Sequence, residues 1–220
     1  INMSHELRTP LSLILAPLEE LLGEKNSFEP GIQQKLSYVY KNGQRLLHIV
    51  NQLLDFRKAE SGTLPINIVS GPVESMSMNV FNLFKENARK RDINFHFSSD
   101  LKDELLPVDR MYLETILMNL LSNAFKFTPD GGEISLSLWK KETAYGFTIR
   151  DNGIGIPIEK LSRIFERFNQ VDDNQKGSGI GLSLVKLLVD KHRGTIEVVS
   201  ETGKFTEFKV TLPADIQVFP

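Results

Sequence analysis

Four short stretches of this chain hold residues whose types and spacing could carry chemistry. The first is Ser4-His5-Glu6-Leu7-Arg8-Thr9-Pro10-Leu11, where an imidazole stands between a hydroxyl and a carboxylate. An imidazole with an ordinary pKa of about 6.5 can be a neutral nucleophile near pH 7. Glu6 beside it can hold the ring in one tautomer or take its proton. A lone histidine on a helix is more often structural, so His5 gains meaning only from what else the chain supplies. The second stretch runs from Asn119 to Thr128. On a helix Asn119, Asn123 and Lys126 fall at i, i+4 and i+7, on one face. Two amide oxygens and an ammonium there suit a magnesium ion and its phosphates, although a solvated helix face uses the same residues.

The third stretch is Asp151-Asn152-Gly153-Ile154-Gly155-Ile156-Pro157, directly after a strand pattern. Asp151 could accept a hydrogen bond from the exocyclic amine of adenine, and the two glycines let the backbone approach a flat base. Asp-Asn-Gly is also an ordinary tight turn. The fourth is Gly177-Ser178-Gly179-Ile180-Gly181-Leu182-Ser183-Leu184. Its glycines free the backbone for φ > 0, and the helix that follows offers unpaired amides to anionic phosphates. The spacing fits neither a P-loop nor a dinucleotide fingerprint. Between the third and fourth stretches, Arg163-Ile164-Phe165-Glu166-Arg167-Phe168 is followed by a polar run over 169–176, the composition of a lid over a nucleotide.

The elements that must position these residues follow from hydrophobic spacing. Leu7, Leu11, Ile14, Leu18 and Leu21 predict an amphipathic helix over about 3–24, bent near Pro10 and Pro17. A turn-rich break over 23–31 precedes a second helix over about 32–59. There Leu36, Gly43 and Val50 form one seven-residue series, and Val39, Leu46 and Leu53 another. Two such stripes describe a helical seam, and a hairpin of this size cannot bury both faces alone. The expected outcome is a homodimer joined as a four-helix bundle, rather than a hairpin packed on the rest of its own chain.

Ser61-Gly62-Thr63-Leu64-Pro65 is the expected domain boundary. The domains are therefore a hairpin over 1–60, a hinge over 61–65 and a second domain over 66–220. In the second domain strands are expected at 66–69, 93–97, 134–139, 145–150, 195–199 and 205–212. Helices are expected at 73–91, 109–128, 158–168 and 181–192. The fold class is thus multidomain, α then α+β: an antiparallel helical hairpin followed by an α/β sandwich, a mixed sheet with helices on one side.

Bulk composition removes several classes of function. With 26 basic against 28 acidic side chains, the net charge of −2 lacks the basic excess of a nucleic-acid binder. The absence of cysteine excludes disulfides, thiol catalysis and cysteine-ligated zinc. No apolar run approaches the roughly 18 residues that span a bilayer, so this segment is expected to make no membrane contact. The chain opens at Ile1 rather than Met and reads as a piece of a longer protein.

The five motifs Ser-His-Glu-Leu-Arg-Thr-Pro-Leu, Asn-Leu-Leu-Ser-Asn-Ala-Phe-Lys-Phe-Thr, Asp-Asn-Gly-Ile-Gly-Ile, Phe-Glu-Arg-Phe and Gly-Ser-Gly-Ile-Gly-Leu-Ser-Leu occur in that order along almost the whole chain. In this arrangement the chain resembles the sensor histidine kinases of two-component systems. The resemblance implies a dimerisation and phosphotransfer hairpin followed by a Bergerat-type ATP-binding domain, shared with gyrase, Hsp90 and MutL proteins. His5 then matches the phosphoacceptor, Glu6 an orienting base, and Thr9 a position that can place water to dephosphorylate a response regulator.

By the same resemblance Asn123 would hold magnesium, Lys126 the phosphates, Phe127 the adenine face and Asp151 the adenine amine. Asn119, Gly153, Gly155, Phe165, Phe168, Gly177, Gly179 and Gly181 would complete the pocket and lid, and Thr206 would support adenine. The implied cofactors are ATP and magnesium. The implied partners are a second copy and a response regulator receiver domain, for a cytoplasmic segment of a parent anchored in the inner membrane. Asn119 stands where ATP-hydrolysing relatives carry a glutamate, and an amide cannot act as general base at neutral pH. Three departures are Gln170, where an arginine is frequent, His192-Arg193-Gly194, where His-Gly-Gly is frequent, and Phe205, where a glycine is usual. His48, His96 and His192 have no motif around them and are expected to be structural or surface residues.

Overall fold

The seven-residue spacing of the first sixty residues resolves into two helices, α1 (Met3–Gly23) and α2 (Pro30–Glu60), packed on one another. The computed structural model describes residues 3–23, 30–60, 66–102, 104–166 and 179–215. The expected boundary at 61–65 lies outside them. The chain divides into two compact units, Ile1–Leu64 and Pro65–Pro220. In the first, Leu11 and Leu15 of α1 and Leu54 of α2 are buried. Gly43 is a notch: a Cβ there would stand 2.5 Å from Leu15 Cδ2, so the leucine occupies the space the glycine leaves. Of the expected series Leu7, Leu11, Ile14, Leu18 and Leu21, Leu11 is buried while Ile14 is 55% and Leu21 36% exposed, and Leu15 is buried instead. Ile32, Val39 and Leu46, one residue per seven along α2, are about half exposed as well.

The second unit runs β1 (Val69–Pro72), α3 (Val73–Lys90), β2 (Asn94–Ser99), β3 (Leu105–Val108), α4 (Arg110–Phe127), β4 (Glu133–Lys140), β5 (Ala144–Asp151), α5 (Ile158–Leu161), α6 (Gly181–Lys191), β6 (Thr195–Glu201) and β7 (Phe205–Pro213). Five strands form one mixed sheet in the order β2-β4-β5-β7-β6, with β2 parallel to β4 and the other pairs antiparallel. Alternation places Ile134, Leu136 and Leu138, then Tyr145, Phe147 and Ile149, then Phe208, Val210 and Leu212 on the buried face. Helix α4 lies between α3 and α6, and Leu113, Ile116, Leu117, Leu120 and Leu121 are fully enclosed. Each such side chain contributes about 1.5–3 kcal/mol.

Three elements differ from the sequence expectation. The first strand is β1 at Val69–Pro72, not 66–69, because it pairs antiparallel with β3 (Val69↔Val108 to Pro72↔Leu105). Pairing partner, not apolar content, selects the strand, and Ile66 stays 37% exposed. Strand β3 had no signal of its own: Leu-Leu-Pro-Val contains a proline that cannot donate to a ladder. Its Pro107 carbonyl instead accepts from the buried Tyr145 hydroxyl at 2.6 Å. The helix expected over 158–168 is only Ile158–Leu161. Beyond it Arg163 and Glu166 donate to carbonyls three residues back, as tight turns do. Among the described residues of this stretch only Ile164 is buried, while Ile158 is 84% exposed, so these residues give a longer helix no continuous apolar stripe.

One histidine has a structural task. Asp109 caps α4, its Oδ1 accepting from Tyr112 N at 3.1 Å and its Oδ2 from Asn67 N at 2.7 Å. The Asp109 amide donates to His192 Nε2 at 3.1 Å, so Nδ1 carries the proton and donates to Leu188 O at 2.9 Å. The neutral ring thereby joins the start of α4 to the end of α6, and burial pushes its pKa below the ordinary 6.5. A depressed histidine pKa contributes stability that is present above about pH 6.5 and lost as pH falls below it. We expect His192→Phe to lower unfolding stability by about 1–3 kcal/mol at pH 7.5. The gap should narrow by pH 5 in thermal unfolding, and a gap independent of pH would refute this role.

Candidate functional site

The end of β5 sets a carboxylate where water scarcely reaches. Asp151 is 5% exposed and sits in register with Ile134 on one side and Thr206 on the other. Its Oδ1 accepts from Gly153 N at 2.9 Å. Burial raises its pKa from 3.8 to about 6, against the opposing pull of the Gly153 hydrogen bond and the Arg150 charge. Gly153 is required for this proximity. A Cβ there would fall 2.7 Å from the Asp151 oxygen and 2.5 Å from the Phe127 carbonyl. At Gly155 the backbone takes φ +68°, a region that L side chains rarely adopt.

The turn after Asp151 is fixed on two sides. Ile154 N donates to Phe127 O at 3.3 Å, joining it to the end of α4. Gly203 N donates to Ile154 O at 2.7 Å, and Ile156 N to Ser200 Oγ at 2.8 Å, joining it to the β6–β7 hairpin. Thr206 is 7% exposed, its hydroxyl 3.2 Å from that of Ser200. Asp151, Gly153, Gly155, Phe127 and Thr206, separated by up to 79 positions in sequence, are therefore one connected group.

Along α4, Asn119 and Asn123 are half-buried and Lys126 is exposed, on the flank that the leucine core leaves free. Asn119 Nδ2 donates to Thr115 O at 2.8 Å. The Lys126 ammonium lies 4.4 Å from the centroid of the Phe127 ring. At the start of α6, Gly179 has φ +68° and Gly181 is the first helical residue. Phe165 is half-buried and meets the Phe208 ring edge-on, centroids 6.5 Å apart. Phe168 and Gly177 lie outside the described residues. His5, Glu6 and Thr9 fall within α1, but only their helical backbone is described.

Two residues that sequence reasoning missed support the group. Ser200 lies inside a strand with no motif around it. Arg91, just past α3, donates to the carbonyls of Phe125 and Thr128 and to Asp130 Oδ1 at 2.7 Å. A cation at the last carbonyls of a helix is favourable, and here it fixes the end of α4 that carries Lys126 and Phe127. Neither residue has a sequence signal, because both act through contacts 5 to 44 residues away. An open cleft lined by Asn67, Val69, Asp109, Arg110, Met111 and Glu114 lies at the other end of α4 and contains none of the candidate residues. Chemically, the Asp151 end offers a buried hydrogen-bond acceptor beside glycine-lined backbone, and α4 offers amide oxygens and a cation.

Residues 2–62 match the family described as "His Kinase A (phospho-acceptor) domain", and residues 108–216 that described as "Histidine kinase-, DNA gyrase B-, and HSP90-like ATPase". The chain belongs to the histidine kinase family. "Histidine kinase P4" of Formosa agariphila is 37% identical over 220 residues, covering 96% of this chain and 16% of that protein. "Sensor histidine kinase TmoS" of Ectopseudomonas mendocina is 37% identical over 218 residues, covering 96% of this chain and 22% of that protein. Among solved structures, full-length ShkA in complex with AMPPNP superposes with a TM-score of 0.82 at 27% identity. That match covers 96% of this chain and 45% of ShkA. The chain thus spans under a quarter of the length of these two curated relatives. Both expected parts of the fold class, a helical segment and an α/β unit with a mixed sheet, are present in this kinase segment.

The raised pKa of Asp151 has a sign that can be measured. A carboxyl whose folded pKa is raised stabilises the fold fully below its unfolded value and loses that contribution as pH rises through about 6. A tenfold change in proton affinity is about 1.4 kcal/mol, so the ionised group opposes folding by roughly 3 kcal/mol at most at neutral pH. Asp151→Asn keeps an oxygen for Gly153 N–H and removes the charge. In nucleotide-free thermal unfolding the variant should exceed the parent at pH 7.5, with the difference fading towards pH 4; a variant no more stable at pH 7.5 would contradict it.

Proposed function

We propose that this segment is the catalytic core of a sensor histidine kinase: it binds ATP, transfers the γ-phosphoryl group to His5, and passes it to an aspartate of a response regulator. The observation that carries the reading is the Asp151 carboxylate, buried at a strand end between Gly153 and Thr206 with the polar flank of α4 belonging to the same unit. A buried carboxylate of this kind accepts from the exocyclic amine of adenine, with Gly153 and Gly155 letting the base lie close. Phe127 supplies an adenine face, and Phe165, Phe168, Gly177, Gly179 and Gly181 form the far wall and lid.

Lys126 meets the phosphates. Asn123 offers a hard amide oxygen of the kind magnesium accepts alongside water and phosphate oxygens, and Asn119 lines the same flank. Asn123 is the protein donor in this reading. Magnesium, when bound, neutralises charge on the phosphates.

The identity of Asn119 favours transfer over hydrolysis. Its amide donates to Thr115 O and has no basic lone pair with which to activate water. His5 then attacks phosphorus in line through Nε2 while Glu6 orients the ring through Nδ1–H, and the bond to the leaving ADP oxygen breaks. Thr9, one turn on, positions water when the regulator is dephosphorylated. The domains in this reading are the hairpin 1–60, the hinge 61–65 and the ATP-binding domain 66–220. The half-exposed series Ile32, Val39 and Leu46 is the surface a second copy covers in a four-helix bundle. Among the described residues no helix is long and apolar enough to cross a membrane. We place the segment in the cytoplasm and its parent in the inner membrane.

Incubation with γ-labelled ATP tests the reading. Acid-labile, base-stable label on the protein, abolished in His5→Gln, is expected. Release of free phosphate alone would identify a hydrolase, absence of turnover a signalling scaffold, and undiminished labelling of His5→Gln a different acceptor.

A further inference from the structure

A hydroxyl group has one proton to give and two lone pairs to receive with, and at Ser200 all three are assigned by geometry. The Ile156 amide donates to Ser200 Oγ at 2.8 Å. Ser200 Oγ donates its own proton to the Phe205 carbonyl at 2.7 Å. The remaining contact, 3.2 Å to Thr206 Oγ1, could in isolation have either atom as donor. Because the serine proton is already used on a carbonyl that can only accept, Thr206 must be the donor. The Thr206 hydroxyl then has acceptor capacity alone left for anything that comes beside it. Its neighbour across the β5–β7 pair is Asp151, which once ionised is also acceptor-only. Both are nine-tenths buried or more, so this corner of the site offers no side-chain donor from either residue.

We propose that Ser200 is a positioning residue for base selection: by fixing the Thr206 proton it keeps the Asp151–Thr206 wall acceptor-only, which favours a purine bearing an exocyclic amine over one bearing a keto oxygen at the same place. The inference rests on the nucleotide reading above and adds to it the residue that sets the polarity of the wall. A keto oxygen there meets acceptors only, and a buried acceptor without a donor is disfavoured. Removal of the Ser200 hydroxyl leaves Thr206 free to turn its proton towards the ligand, so a keto base finds a donor it lacked. The same removal strips the Ile156 amide and the Phe205 carbonyl of a partner, so binding of every nucleotide weakens. The two effects separate because only the first changes the ratio between bases.

The test measures equilibrium binding of magnesium–ATP and magnesium–inosine triphosphate, which carries a keto oxygen in place of the amine, to the whole chain. The parent should prefer ATP. Ser200→Ala should bind both less tightly, and its preference should shrink by about five- to tenfold; Ser200→Thr, which keeps a hydroxyl, should restore it. Thr206→Val should lose a comparable part of the preference, and adding Ser200→Ala to it should change the ratio no further, since serine acts through threonine. Retention of the parental ratio in Ser200→Ala overturns the proposal, as does a ratio unchanged in Thr206→Val if Ser200→Ala does not fold. A parent chain that binds neither triphosphate overturns the nucleotide reading itself and this inference with it. A parent that prefers ATP while both variants keep that preference overturns the inference alone.

Discussion

A carboxylate kept out of water opposes the folding of any protein that contains it, and the second unit of this chain is arranged around one. Asp151 ends a central strand of the five-stranded sheet, and the same alternation that buries Tyr145, Phe147 and Ile149 carries it inside. One hydrogen bond, from Gly153, partly offsets the lost hydration, and the pKa remains raised to about 6. In the proposed reading this incompletely solvated charge is the basis for recognition, because a ligand that donates to it supplies a hydrogen bond the fold leaves out. The turn after Asp151 cannot move independently, being bonded to α4 through Phe127 and to the β6–β7 hairpin through Gly203 and Ser200.

Helix α4 serves two ends at once. Its leucines fill the core, and its remaining flank presents Asn119, Asn123 and Lys126. Both ends are held from outside: Asp109 and His192 at the start, Arg91 at the last carbonyls. A helix so held presents polar side chains at fixed positions without relying on their own contacts, as a site for phosphates requires. In the first unit the economy is different. Leu11, Leu15 and Leu54 close a small core around the Gly43 notch, while apolar residues at heptad spacing remain on the outside. A two-helix unit has too little interior to enclose them all.

The proposed function assigns the site to transfer because of what it contains and what it lacks at a single position. Asn119 is tied to Thr115 and can neither deprotonate water nor carry charge. In the proposed reaction the nucleophile must therefore come from another part of the protein, and His5, in the other unit, is the imidazole whose neighbours equip it for the role. In that proposal acceptor and nucleotide belong to two units, and their meeting is a step that an outside signal would bias.

Much of this was legible in the sequence. Period-3.6 and period-2 patterns located α3, α4, α6 and all five strands of the large sheet, because those elements bury one face and must alternate accordingly. The short motifs carried the candidate residues in order, since glycine, aspartate and asparagine at fixed offsets answer to local backbone geometry. Tertiary structure decided the rest. Strand β1 exists where β3 can pair with it, and β3 was invisible because its proline conceals a strand until a partner is present. The helix after Pro157 ends at Leu161 because its apolar residues find no common surface. Ser200, Arg91 and His192 are silent in the sequence for one shared reason. Each matters through hydrogen bonds to groups up to 83 positions away, and only folding brings those groups within about 3 Å of one another.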